Sequence, residues 1–399
     1  MTSLTNSELR HLPDKMLAQI IHTIQTFPNE TVDFSRPILR RTLRGSYPLF
    51  ITIYCLLALA GAVANSSLLA RLFLARHFYS DPTCAYIMNL GVCNLLASLV
   101  LLPLSLVVLL LQNWVLGSVM CYLLPMLQDV PIHATMATFV VISADRHRRI
   151  TSPLEPRVSA SSAVAGIWVA ALSVVLPYVM YVNYIDLQMV FGKQFNGVGI
   201  CTLNMNDNIA LYIRLLYGLL YVVPLLLVIY FHLRVSHEID RRVSEREEDC
   251  QASLEEEREL TSRIWTVRGR AASSSAIRRN DVASHGTFHG EAQECQLDLE
   301  EEKRNQKYLA LIIGISTLCL TPLAVLRLVK NEILETRQNS GHFDVTYISF
   351  VWVAFLPAVS TPVVFAAWKR KRWYSSQNQL PPRTSSGQTP QVKQFNTNV

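Results

Sequence analysis

Apolar residues in this chain come in long blocks separated by short polar stretches. A helix needs roughly 20 mainly apolar residues to cross a bilayer. Seven blocks reach that length, near residues 49–70, 84–111, 120–142, 163–182, 209–233, 308–329 and 346–368. The runs do not alternate every second residue, as the strands of a membrane barrel would. In lipid every backbone polar group must find its partner within its own segment, so such blocks predict helices. The expected fold is an all-α membrane protein, a bundle of seven transmembrane helices.

The polar stretches divide the chain into an amino-terminal segment (1–45), helices one to five with their loops (46–233), a long loop (234–307), helices six and seven (308–368) and a tail (369–399). The long loop has charged ends, including Glu255-Glu256-Glu257 and Glu300-Glu301-Glu302, which are expected to extend the flanking helices. Its middle, 269–290, is rich in Ser, Ala, Gly and His, and the tail after Tyr374 is polar. Both have too little apolar surface to offset ordering entropy and are expected to be disordered. The first forty residues hold no apolar core of signal-peptide length, so the first span is expected to direct its own insertion. No soluble domain and no internal repeat is visible.

Composition agrees: half of the residues are hydrophobic and 17% are charged, against about 25% in soluble proteins. The formal net charge of +6 leads to the question of where the basic residues sit. Arg71 and Arg76 follow the first span, Arg146, Arg148, Arg149 and Arg157 follow the third, and Lys369-Arg370-Lys371-Arg372 follow the seventh. Residues 112–119 carry no basic side chain. The positive-inside rule then places the amino terminus outside and the tail inside, in a multi-pass protein of the plasma membrane. Arg36, Arg40, Arg41 and Arg44 run against this, since they precede the first span on the outer side. Asn29-Glu30-Thr31 on the same segment is a glycosylation sequon.

Of eight cysteines, Cys55, Cys84, Cys93 and Cys319 fall in spans, and Cys250 and Cys295 fall in the long inner loop. Cys121 and Cys201 map to the outer, oxidising face, where one disulfide is expected. The alternative is two unpaired outer thiols. No cysteine follows Cys319, so no tail palmitoylation is expected.

Motifs can be matched in each span. The first holds Gly61-Ala-Val-Ala-Asn65 and the second Asn89-Leu90-Gly-Val-Cys-Asn94-Leu95. Trp114-Val-Leu-Gly117 precedes Cys121, and the third span ends Asp145-Arg146-His147-Arg148-Arg149-Ile150, followed by Pro153-Leu154. Trp168, Pro224, Cys319-Leu320-Thr321-Pro322 and Thr361-Pro362-Val-Val-Phe365 mark spans four to seven. In order and spacing these residues resemble the rhodopsin-like G-protein-coupled receptors over nearly the whole membrane region. At Gln128 and Asp145-Arg146-His147-Arg148 the chain is similar to neuropeptide Y-type receptors. It departs from the family at Asn94 (usually Asp), Leu320 (usually Trp), Thr361 (usually Asn) and Phe365 (usually Tyr).

The resemblance implies a set of roles. Arg146, next to Asp145, would pair with Glu302 at the foot of the sixth span in the resting state. Breaking that pair would let the sixth helix swing outward, a two-state element biased by ligand from the other side. Pro322 and Pro362 would be bending points, since proline removes a helix hydrogen bond. Asn94 lacks the carboxylate that holds sodium in relatives, so weak or absent sodium regulation is expected, and His232 stands near the place of a helix-five tyrosine. On the ligand side Gln128 replaces the cation-binding Asp of amine receptors, and Asp129 points about 100° away on the helix. A peptide ligand is therefore expected, with Gln128, Arg214, Leu320, Arg327 and Tyr347 as candidate contacts. Arg214 and Arg327 would accept an acidic side chain or terminal carboxylate; snorkelling to headgroups is the alternative. The implied partners are a heterotrimeric G protein, the lipid bilayer and arrestin, with Thr384, Ser385, Ser386 and Thr389 as phosphorylation candidates. Arg241-Arg242-Val243-Ser244 matches a basic-directed kinase site, and Thr397-Asn398-Val399 resembles a PDZ-domain ligand.

Other classes fit less well. There are no paired carboxylates, no metal-spaced His/Cys set and no phosphate-binding glycine loop, so no enzyme, cofactor or metal is expected, and nothing points to nucleic acid. His133 is lone and reads as a core or pocket histidine. Inverted repeats and interrupted helices, the mark of transporters, do not stand out. Leu320, Thr361 and Phe365 keep a second reading open, a weakly coupling or non-signalling seven-helix scaffold or partner subunit.

Overall fold

The computed structural model describes residues 37–74, 82–152, 154–156, 158–186, 188, 199–203, 207–268, 280–329 and 340–377. Asn29, Arg36, Arg76, Pro153, Arg157 and the tail positions from 378 onward lie outside the described residues. Among the described residues, seven helices are long and apolar enough to cross a membrane. They are α1 (Tyr47–Leu74), α2 (Pro82–Leu110), α3 (Gly117–Thr151), α4 (Ala160–Tyr181), α5 (207–268), α6 (Asn280–Val329) and α7 (340–377). Large apolar side chains such as Leu59, Val63 and Leu318 are exposed on the outside of the bundle. Contiguous apolar surface of this kind belongs against lipid.

Each apolar block falls on one helix, two of them passing its end by one residue at Leu111 and Val182, and the helices outrun the blocks at the end that carries Arg146. There α5 continues to Arg268, and α6 starts at Asn280. The part of the 269–290 stretch from 280 onward is thus helical, where the composition had suggested disorder; 269–279 lies outside the described residues. Charged residues sustain the extension of α5 through pairs one turn apart: Arg241 meets Glu245 at 3.1 Å and Arg242 meets Glu238 at 3.1 Å.

Prolines shape the spans. Ala97–Leu101 in α2 and Gly218–Val222 in α5 widen into π-helical turns just before Pro103 and Pro224. A proline cannot donate to the carbonyl one turn back, and the wider turn takes up the mismatch. Helix α3 absorbs both Pro125 and Pro131 without breaking. Helix α7 breaks for Phe355 and Leu356, just ahead of Pro357.

The bundle closes through buried polar contacts. Asn65 on α1 donates to the carbonyls of Gly61 (2.7 Å) and of Ala358 on α7 (2.6 Å). Tyr54 on α1 donates to Ile348 O on α7 at 2.6 Å. Asn89 on α2 donates to Thr138 on α3 and accepts from the Trp168 indole on α4, both at 2.8 Å. Gly61 lets α1 meet α2, since a Cβ there would stand 2.3 Å from Ser98 Oγ.

The opposite end is capped by an antiparallel hairpin, β1 (Val182–Asp186) with β2 (Gly199–Leu203). A disulfide joins Cys201 of β2 to Cys121 at the start of α3, with Cα atoms 5.6 Å apart. Among the described residues Cys55, Cys84, Cys93 and Cys319 are not joined in disulfides. The segment before α1 is strapped across this end. Arg40 N donates to Leu110 O (2.9 Å), Gln112 N to Ile38 O (2.8 Å) and Ile38 N to Asn113 Oδ1 (2.8 Å). Leu43 is buried against Phe50 and Tyr54.

Candidate functional site

Two sites lie at opposite ends of α3 and α6. At the Arg146 end, α3 is still helical at Thr151, which brings Arg146 inside the bundle. Its side chain is buried and pairs with Glu302 on α6. Arg149, one turn along, stands 3.7 Å from the same carboxylate. A buried guanidinium is tolerated because it is paired, and removing one partner of such a pair is costly. Arg146, Arg149, Glu302, Asn305, Phe365 and Trp368 surround a cavity of about 130 Å³.

Around this pair α6 is tied to its neighbours. Trp368 on α7 donates to Asn305 Oδ1 at 2.8 Å, and its ring stacks on Tyr308 and meets Phe365 edge-on. On the α5 side His232 bonds Gln306 at 2.7 Å. Phe365 offers no hydroxyl, and it packs in this aromatic group. Pro322 sits in α6 between the two ends, and Thr321 beside it bonds Tyr221 of α5. Pro362 and Thr361 are buried in α7.

At the disulfide end, a cavity of about 270 Å³ opens between α2, α3, α6 and α7. Its polar wall is Arg40, Ser105, Gln128, Arg327, Asp344 and Tyr347. Gln128 donates to Ser105 on α2 at 3.0 Å. Arg327 donates from Nη1 to Asp129 Oδ1 at 2.7 Å, joining α6 to α3, and Tyr347 is a further hydrogen-bond partner. Arg40 donates to Asp344 at 2.7 Å and to Leu111 O at 3.2 Å, while Thr42 takes the other Asp344 oxygen at 2.7 Å.

Of the candidate contacts, the fold brings Gln128, Arg327 and Tyr347 together. Arg214 is not among the walls of this cavity; it lies exposed on α5. Leu320 is not among them either. It lines a smaller cavity of about 50 Å³ with Asn94, Pro131 and Ser316, because it sits two turns deeper on α6 than Arg327. Asp129 does not point idle: α3 has neighbours on several sides, so turning 100° from Gln128 brings it onto Arg327. His133, one turn further in, keeps its Nδ1 buried with no hydrogen-bond partner among the described residues.

Sequence reasoning missed Asp129, the Arg40–Asp344 clamp and the Asn305–Trp368 bond. For the first a signal existed: one Asp and one Arg inside two spans are expected to find each other. The clamp also accounts for Arg40, one of the basic residues that ran against the positive-inside rule. Its charge is matched by Asp344.

Comparison with known proteins fits this geometry. The family model of the 7 transmembrane receptor (rhodopsin family) matches residues 64–365, well over half of the chain. Neuropeptide Y receptor type 2 of Gallus gallus is 29% identical over 206 residues, 49% of this chain and 52% of that one. The same receptor type of Mus musculus is 34% identical over 111 residues, 28% of this chain and 29% of that one. Neuropeptide FF receptor 2 of Mus musculus is 24% identical over 196 residues, 47% of either chain. The chain thus spans about half the length, or less, of these curated relatives. With the bundle, the disulfide and the Arg146–Glu302 pair in place, the chain belongs to the rhodopsin-like family of G-protein-coupled receptors and is related within it to neuropeptide Y-type receptors.

Proposed function

We propose that this protein is a plasma-membrane receptor that turns binding of an extracellular peptide into activation of a heterotrimeric G protein. In this reading residues 1–45 lie outside, while the 234–307 loop and the 369–399 tail lie in the cytosol. The disulfide end is then the outer, ligand-receiving end and the Arg146 end the inner, coupling end. The single observation that carries it is the pairing of buried Arg146 on α3 with half-buried Glu302 on α6. It restrains the inner end of α6, which Pro322 leaves able to bend. Gln128 in place of an acid and the size of the outer cavity favour a peptide over an amine. Names of relatives support the same ligand class. Asp145, Pro362 and the phosphorylatable tail complete the proposed switch, with arrestin as a second inner partner.

A second reading is supported by Leu320, Thr361 and Phe365 and by the extra bond between Asn305 and Trp368. It is a weakly coupling or silent scaffold whose inner end stays shut. One experiment separates the two. Ligand-free activation of the four G-protein classes is compared for wild type and Arg146→Ala at matched surface levels. A basal signal changed by the substitution supports the receptor; equal, absent signal in all classes favours the scaffold.

A further inference from the structure

We propose that the outer cavity selects a ligand group bearing a carboxylate, received by Arg327 and made specific by Asp129 as a positioning residue. The inference rests on the reading of that cavity as the ligand site, and names the chemistry the site takes.

Three charged groups line the cavity: Arg40, Arg327 and Asp344. Two of them are paired with each other. Arg40 is spent on Asp344 and Leu111 O, and both Asp344 oxygens are occupied, by Arg40 and Thr42. Arg327 differs, because its partner carboxylate, Asp129, is not part of the wall. Counting Asp129, the four charges balance in two ion pairs, but the Arg327 guanidinium lines the cavity while its partner carboxylate does not.

A guanidinium has five N–H donors in a planar fork. The Asp129 bond uses Nη1, and Tyr347 takes a further contact. Donors remain for an oxyanion approaching from the cavity, in the forked geometry that carboxylates favour. Asp129 holds the fork from behind, so less side-chain freedom is lost when the anion binds. Leu109, Leu124, Leu323 and Val351 make up much of the remaining wall, and low polarity strengthens the attraction. A cationic group meets repulsion from Arg327, or must take Asp129 from it and leave the half-buried Arg327 guanidinium unpaired. Either way it is selected against.

Thiol labelling from outside intact cells tests this without a known ligand. A cysteine is placed in the wall as Gln128→Cys, with Leu109→Cys as a second position should the first disturb the Ser105 contact. Its reaction rates with sulfonatoethyl and trimethylammonioethyl methanethiosulfonate are each divided by the rate for a free thiol. The expected ratio favours the anionic reagent by about twofold, the effect of a guanidinium on the wall whose paired carboxylate stands farther from the reagent. Arg327→Gln is expected to abolish the preference. A preference for the cation, a ratio that Arg327→Gln leaves unchanged, or labelling only after permeabilisation overturns the proposal.

Protection of the same thiol separates the sources of the carboxylate. Protection by acetyl-glycyl-leucine assigns a peptide's terminal carboxylate, and protection by acetyl-aspartyl-leucine amide assigns a side chain. For the positioning role, Asp129→Ala is expected to lose protection while keeping the anionic rate preference, and Asp129→Glu to regain it. Unimpaired protection in Asp129→Ala overturns that role. None of these readouts involves a G protein, so they stand or fall apart from the coupling experiment.

Discussion

Trp368 on α7 gives its indole N–H to the side-chain oxygen of Asn305 on α6, and both residues are buried. Asn305 follows Glu302 by three residues, nearly one turn. The Arg146 end of α6 is therefore held to α3 through an ion pair and to α7 through a hydrogen bond, besides its bond to α5 through His232. Trp368→Phe keeps an aromatic ring on Tyr308 and removes the donor. A net hydrogen bond contributes about 1 kcal/mol, so ligand-free G-protein activation is expected to rise about fivefold. Unchanged activation at matched surface level means the bond does not restrain α6.

Glu302 serves two arginines unequally. Arg146 is buried and bonded to it, whereas Arg149 stands at 3.7 Å and is more exposed. Glu302→Gln removes the charge that holds Arg146 and is expected to raise basal activation by about tenfold, corresponding to about 1.4 kcal/mol. Arg149→Gln is expected to change it less than twofold. Equal effects of the two substitutions, measured by the same assay, reject the assignment of Arg146 as the main partner.

Much of this bundle was legible from the chain. Twenty-residue apolar blocks announce spans because lipid leaves the backbone no other solution, and the Cys121–Cys201 pairing follows once the spans are placed. The Arg146–Glu302 contact was legible only through resemblance, since the acidic run at 300–302 gives no sign of which carboxylate turns inward. Asp129 was misjudged because a helical wheel shows direction and not what stands there. Arg40 and Asp344 are 304 residues apart, and no local pattern links them. Arg214 and Leu320 were placed by nearness along their helices to the expected pocket, but the side chain's face and depth decide whether it lines the cavity.

Gly61 sits where α1 meets α2 at Ser98. Gly61→Ala places a methyl 2.3 Å from Ser98 Oγ and 3.3 Å from Ala358 Cβ. Overpacking of this kind costs about 1–3 kcal/mol. The purified receptor is expected to melt several degrees lower, and Ser98→Ala in the same chain is expected to recover part of the loss. A melting temperature equal to wild type means that α1 shifts freely.

The Arg40–Asp344 pair is only partly screened from solvent, with Arg40 34% and Asp344 13% exposed. Its worth is accordingly modest, about 1 kcal/mol. Asp344→Asn weakens the ion pair without changing the size of the side chain. The 37–44 strap is expected to open more often, and trypsin added outside cells is expected to cut after Arg40 or Arg41 about fivefold faster. Cleavage at the wild-type rate means the backbone bonds to Leu110 and Gln112 hold the strap by themselves.

The strap also sets an order of events. Arg40 leaves the ribosome long before Asp344, and the contacts of Tyr54 and Asn65 likewise wait for α7. Domains form as synthesis proceeds, yet this ring can be fastened only by its last-made span. A chain halted before α7 keeps the packing of α1 on α2 and the strap's bonds to residues 110–113, but lacks the contacts of Arg40, Tyr54 and Asn65 to α7. The seam between α1 and α7 is therefore completed only after α7 is made, when Arg40 meets Asp344.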